Sequence, residues 1–281
     1  MTWRIAVRHR TGYEYETPAR ASYNEVRMTP ATVSGQHALQ SNVDTSPLAT
    51  KFRYVDYWGT VVHAFDVHQP HTELVVTATS VVETAGAHKD PPPFTWTDFE
   101  RGGHRDQFVE LLTPSQYVLA EPELDVVGAE LAGTCSPVEA GRRAVAWVHE
   151  QLAYVRGVTT VRTTSAEARA LGQGVCQDFA HVALALLRAV GLPARYVSGY
   201  LYPGREDAVL HEPIDAESHA WVEFWAGDWV AADPSNLSEV AERHMVVARG
   251  RDYADVRPLT GIYSGPAPGA LGVSVELTRL R

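Results

Sequence analysis

The 281-residue sequence predicts an α+β protein in two parts. Two observations support this. The first third alternates apolar and polar residues with the period of two expected of strands, whereas a later region follows the helical period and then returns to short strands. A run of three consecutive prolines, at Pro91 to Pro93, separates them.

In the first part, Trp3, Ile5 and Val7 alternate with Arg4, Ala6 and Arg8. Ser22 to Met28 alternates in the same way, and Val61 to His68 and Glu73 to Val82 are β-branched runs. Turn signals at Thr17-Pro18, Thr29-Pro30, Ser46-Pro47, Trp58-Gly59 and Gln69-Pro70 punctuate them. Residues 1–88 are therefore expected to form a small all-β unit, an antiparallel sheet or sandwich. Proline lacks a backbone N–H and fixes φ, so Gly86-Ala-His-Lys-Asp-Pro-Pro-Pro93 cannot continue a strand ladder or a helix. Residues 89–97 are assigned as a linker and 98–281 as the second unit.

In that unit, Ser136-Pro-Val-Glu139 has the pattern of a capping box with proline at the first helical position. It predicts a helix to about Leu152 with Val145, Val148 and Leu152 inward. A shorter helix is expected over Ser165 to Leu171. Cys176 to Val190 is apolar on nearly every side and ends at Gly191-Leu-Pro193, as a buried central helix would. Strands follow at Ala194 to Tyr202, Ser218 to Trp225 and Trp229 to Asp233, the last two joined by the short turn Ala226-Gly-Asp228. The alternation of Leu271, Val273, Val275 and Leu277 marks a final strand.

Composition excludes several functions. With 45% hydrophobic and 21% charged residues the chain is an ordinary globular one, and its formal charge of −10 opposes a nucleic-acid backbone or an anionic membrane. No stretch approaches the ~20 apolar residues needed to cross a bilayer. The alternating N-terminus lacks the continuous apolar core of a secretory signal, so the expected location is cytoplasmic. Two cysteines, Cys135 and Cys176, are too few for a disulfide scaffold and agree with a reducing compartment.

Three residues in the second unit carry chemistry. Cys176 opens the buried helix, where unpaired N–H groups and the helix dipole favour a thiolate nucleophile. Its own N–H is placed to donate to an oxyanion, and Gly172 and Gly174 would let backbone approach a substrate. His219 lies on the strand Ser218 to Trp225, and a three-residue turn at 226–228 would set it opposite residue 235. Asp233 then falls two residues away on the same face, a diagonal neighbour able to orient the imidazole. Taken singly, Cys176 reads equally as a buried apolar residue, while a structural histidine is the commoner role for His219 and a turn initiator for Asp233. Their order and placement together point to a Cys-His-Asp triad.

These segments also carry a family resemblance. Gly174-Val-Cys-Gln-Asp-Phe-Ala-His181, Leu192-Pro-Ala-Arg-Tyr-Val-Ser-Gly-Tyr200, Ser218-His-Ala-Trp-Val-Glu223, Asp233-Pro-Ser-Asn236 and Gly250-Arg-Asp-Tyr-Ala-Asp-Val256 resemble bacterial transglutaminase-like proteins. The β-rich start, with His9-Arg-Thr-Gly-Tyr13 and Asn24-Glu-Val-Arg27, is similar to the N-terminal domain that commonly precedes such cores. The resemblance implies a papain-like core in which Cys176 attacks an amide carbonyl of a peptide or protein, His219 moves protons and Asp233 orients His219. An amine co-substrate or water would resolve the thioester. Ser235 stands where the pattern has threonine and keeps the hydroxyl. The alternatives are a strictly hydrolytic cysteine peptidase or amidase, and a non-catalytic scaffold that retains the fold.

Gln173, Gly174, Trp221, Asp252 and Tyr253 are further candidates for the cleft lining, with core packing the competing role for Trp221. His181, about 140° around the helix from Cys176, is poorly placed as the base, and Asp178 reads as a stabiliser of the helix N-terminus. His63 and His68 would face opposite sides of a strand, so no metal site is expected there. There is no calcium-loop spacing and no phosphate-binding glycine loop, and no cofactor is expected.

Overall fold

The computed structural model describes residues 2–86, 91–204, 209–265 and 268–281. Six strands open the chain: β1 (Thr2–Ala19), β2 (Ala21–Val26), β3 (Gln36–Ser46), β4 (Lys51–Val55), β5 (Val61–Val67) and β6 (His71–Ala85). Five helices follow: α1 (Trp96–Arg101), α2 (His104–Gln107), α3 (Val109–Leu112), α4 (Pro122–Thr134) and α5 (Pro137–Gln151). Next come β7 (Ala153–Tyr154), α6 (Ser165–Leu171), β8 (Gln173–Gly174), α7 (Cys176–Val190), β9 (Ala194–Leu201), β10 (Pro213–Ala216), β11 (Ser218–Trp225), β12 (Trp229–Ala232) and β13 (His244–Gly250). The chain ends with α8 (Tyr253–Val256), β14 (Leu259–Ser264) and β15 (Pro268–Arg279).

The β-rich unit is a sandwich of two antiparallel sheets. One has the order β10-β15-β1-β6-β3 and the other β14-β2-β5-β4. Tyr15, Val26, Met28, Val43, Phe65 and Leu74 fill the space between them. The expected division at residues 89–97 is therefore crossed by the chain: β10, β14 and β15, all C-terminal to it, complete these sheets. The cause is the period-two pattern of Val275 and Leu277, which extends the apolar face begun by Ile5 and Val7. Part of the linker, residues 87–90, lies outside the described residues.

That face does not look at solvent. Trp3, Ile5, Val7, Val82, Val275 and Leu277 join the same buried cluster as Phe179, Leu184 and Leu187 of α7. Trp3 is fully buried, edge-on to Tyr202 at 5.7 Å, and truncating such an indole typically costs about 3–5 kcal/mol. His9 Nδ1 meets the Tyr200 hydroxyl at 2.9 Å. Gln36 Nε2 donates to Val246 O at 2.8 Å, while Val246 N donates to Gln36 Oε1 at 2.8 Å. These polar ties fix the sandwich against the core sheet.

The core places α7 against an antiparallel sheet of order β12-β11-β9-β13, with α4, α5 and α6 around it. Helix α5 begins as expected at Ser136, whose hydroxyl accepts from Glu139 N, but the Glu139 carboxylate turns to Arg143 at 2.7 Å instead of closing the capping box. Helix α7 ends at Gly191 in the left-handed region (φ 91°), with Leu192 N reaching back to Leu187 O at 3.0 Å. Arg188, which interrupts the apolar run, is buried and donates to Thr113 O, Ala194 O and Arg251 O, so its charge is met by carbonyls. Among the described residues no helix is long and apolar enough to cross a membrane.

Candidate active site

Cys176 is the first residue of α7 and is half-buried; both cysteines are free thiols. Asp178, in the first helical turn, accepts from Val175 N at 2.8 Å and from Thr159 Oγ1 at 2.7 Å. Burial pushes its carboxyl up, against those hydrogen bonds. This is the stabilising role that its position implies. Gly174 is needed for the same arrangement, because a Cβ there would meet the Asp178 side chain at 2.6 Å. Gly172 takes a left-handed φ of 66° as the C-cap of α6. Gly172 thus serves a left-handed backbone turn and Gly174 close packing against Asp178.

His219 lies on β11, and the hairpin register is the expected one: Trp225 pairs with Trp229 and Val222 with Ala232. Asp233 follows β12 directly. His219 Nε2 lies 2.8 Å from Asp233 Oδ2, which leaves Nδ1 for the Cys176 sulfur. Burial disfavours the imidazolium, but the interactions with Asp233 and with that sulfur outweigh it and raise the group to about 9. Asp233 is buried, which works against its charge. Hydrogen bonds from His219, His244 and Asn236 overcome this and hold the carboxyl well below the usual carboxylate range.

The carboxylate is saturated. Oδ1 accepts from Ser235 N at 3.0 Å, Ser235 Oγ at 2.8 Å and Asn236 N at 3.2 Å. Oδ2 accepts from Asn236 Nδ2 at 2.9 Å and faces His244 Nε2 at 3.5 Å. The serine that replaces threonine in the motif therefore does the hydroxyl's work. His244 Nδ1 accepts from Ala241 N at 3.4 Å, which leaves the proton on Nε2 toward Asp233. His219, Asp233 and His244 form the one group of metal-capable side chains found among the described residues, their ligand atoms within 4.8 Å of one another. Each of these atoms already has a hydrogen-bond partner, so the group is built as a polar relay.

Cys176 and His219 open onto one cleft of about 360 Å³. Of the other expected lining residues, Tyr253 lines it and donates its N–H to His181 Nε2 at 3.2 Å. Four do not. Trp221 is fully buried and stacks on His219 with ring centroids 6.0 Å apart, supporting the imidazole. Asp252 is buried, capping α8 through Ala254 N at 2.7 Å and accepting from Tyr117 N at 2.8 Å. Gln173 and Gly174 are held in the short parallel pair with Ala153 and Tyr154. His181 is fully buried, with its ring lowered to about 4 by burial and stacked on Tyr117, so it is not placed as the base. Sequence reasoning missed Tyr154, Val161, Glu217 and Val273 in the cleft and His244 behind it. Asn236, which donates to Asp233, sits inside the Asp-Pro-Ser-Asn motif, whereas no local pattern marked these others as site residues.

Fold and site together define an α+β thiol-enzyme-type core with a β-sandwich joined to its edge. The chain belongs to the transglutaminase-like superfamily: the family's core model matches residues 127–234, and the bacterial transglutaminase-like N-terminal region matches residues 5–83. An uncharacterized protein of Mycobacterium leprae is 45% identical over 278 residues, covering 99% of both chains. A protein-glutamine gamma-glutamyltransferase of Pseudomonas aeruginosa is 37% identical over 68 residues, 22% of this chain and 10% of that protein. A solved structure from Cytophaga hutchinsonii, described as a candidate cysteine protease, superposes with a TM-score of 0.77. It covers 99% of this chain and 98% of that one at 18% identity, a likeness of fold alone.

Proposed function

We propose that this chain is a thiol enzyme acting on amide bonds of a peptide or protein through Cys176, His219 and Asp233. The observation that supports this best is the shared cleft of Cys176 and His219, with Nε2 of His219 committed to Asp233 and Nδ1 left for the sulfur. In this reading the Cys176 thiolate attacks the amide carbonyl, and the oxyanion forms beside the first N–H groups of α7, which have no intrahelical acceptor. His219 gives its proton to the leaving amine or ammonia, and a thioester remains on Cys176. An amine or a water then attacks, His219 takes the acceptor's proton, and the thiolate leaves. Asp233 keeps the imidazole oriented and supports its charge, and His244 acts through Asp233 as a positioning residue.

An amine-incorporation assay beside an amide-hydrolysis assay, on a glutamine-containing protein substrate, tests the proposal. Amine uptake that depends on Cys176 is the expected result for acyl transfer. Hydrolysis without uptake assigns the chain to the peptidase or amidase alternative. Neither activity, with Cys176 no more reactive than a free thiol, overturns the enzyme reading in favour of a scaffold.

A further inference from the structure

The cleft holding Cys176 and His219 has walls from two parts of the molecule. One wall follows β7, where Tyr154 is 48% exposed and Val161 56% exposed. The other is β15, which contributes Val273, 55% exposed, and buried Val275. Isolated exposed apolar residues are ordinary on a protein surface, but a group of them around one concavity marks a binding surface. Glu217 is the only Asp, Glu, Lys or Arg lining the cleft among the described residues.

Both walls are held rigidly relative to the thiol. Gln177 Nε2 donates to Val161 O at 3.3 Å, and Thr159 Oγ1 donates to Asp178 Oδ2 at 2.7 Å. The loop carrying Val161 is thus tied to the first turn of the helix that Cys176 begins. On the opposite side, β15 lies between β1 and β10, with Val273 across from Thr11 and Val275 across from both His9 and Ala216. The exposed valines are therefore part of a formed groove.

Building on the thiol-enzyme reading above, we propose that Val161 and Val273 form a specificity subsite. It takes an uncharged aliphatic side chain of the acyl-donor peptide, next to the amide carbonyl that Cys176 attacks. The β-sandwich then has a direct part in substrate selection, through the strand that it contributes to the cleft. Glu217 at the rim is paired with Arg156 at 3.2 Å, so its charge is already met and the selection rests on the apolar walls.

The test compares alkylation of Cys176 in the native chain by chloroacetyl-leucinamide and by chloroacetyl-asparaginamide, read by peptide mass, with iodoacetamide as the reference reagent. The two side chains have nearly the same shape and are both neutral, so they differ in polarity. The leucine reagent is expected to react about fivefold faster, since a half-covered leucine gains part of its full burial energy. In Val161→Asn and Val273→Asn that ratio is expected to fall toward one while the iodoacetamide rate is kept. Equal leucine and asparagine rates with rapid iodoacetamide labelling overturn the subsite and leave the enzyme reading intact. A leucine preference unchanged in both variants overturns it as well. Iodoacetamide labelling no faster than that of a free thiol overturns the enzyme reading, and the subsite with it.

Discussion

His219 and Asp233 meet on a diagonal of the β11–β12 hairpin, Nε2 to Oδ2 at 2.8 Å. The Trp225–Trp229 pairing sets residue 233 opposite Trp221 and two positions from the partner of His219. Orientation of the imidazole is thus a property of the hairpin register, and a slip of one residue would turn the carboxylate to the other face.

Cys176→Ala is expected to abolish turnover while changing the melting temperature little, because the side chain is only half-buried at a helix start. Residual turnover at the level of the unchanged chain would remove Cys176 from the role of nucleophile.

The imidazole of His219 is expected to titrate near 9 by NMR, and lower in Cys176→Ala, where one of the raising interactions is gone. The folded value lies above the ordinary 6.5, so the stability His219 contributes is complete below about pH 6.5 and is lost as pH rises through about 9. A shift of that size corresponds to about 3 kcal/mol. Urea unfolding of the native chain and His219→Gln across this window checks it; a difference independent of pH contradicts the assignment.

Asp233→Asn is expected to impair turnover less than loss of Cys176, since the carboxylate orients and does not react. His244→Leu should reduce turnover less again and move the alkaline limb of the pH profile upward. With one fewer donor on Asp233, the carboxylate holds the His219 imidazolium more strongly. Equal losses in Cys176→Ala and Asp233→Asn would mean that the carboxylate does more than orient, and an unmoved limb would remove His244 from the relay.

Glu223 anchors the face of the core sheet that carries His219, receiving Arg249 Nε and Nη2 at 2.8 Å each and Arg195 Nε at 2.6 Å. Burial opposes its charge, yet the two guanidinium groups lower the carboxyl to about 2. Its contribution is therefore present above about pH 4.5 and is lost as pH falls through about 2. Glu223→Gln, which leaves two largely buried arginines underpaired, is expected to cost about 3 kcal/mol at neutral pH. Denaturation curves showing no loss would mean that solvent already pairs the arginines.

Local patterns in the chain were enough to identify α7, the β11–β12 hairpin and the placement of Cys176, His219 and Asp233 on them, because each depends on short-range chemistry. A helix start, a three-residue turn and a period of two all lie within a few residues of the groups they position. They were also enough to assign the superfamily, since its motifs sit in those same segments. Tertiary structure decided what depends on distant segments. Pairing of β15 with β1 brings Val273 and Val275 to the cleft from more than fifty residues beyond His219. His244 reaches Asp233 from the start of β13, which adds to β9 at the opposite edge of the sheet from β12. Trp221 and Asp252 share strand parity or loop position with the site, yet burial turned both to structural use. Burial and strand order are properties of the whole packed chain, and no local pattern encodes which distant residue will fill a given place.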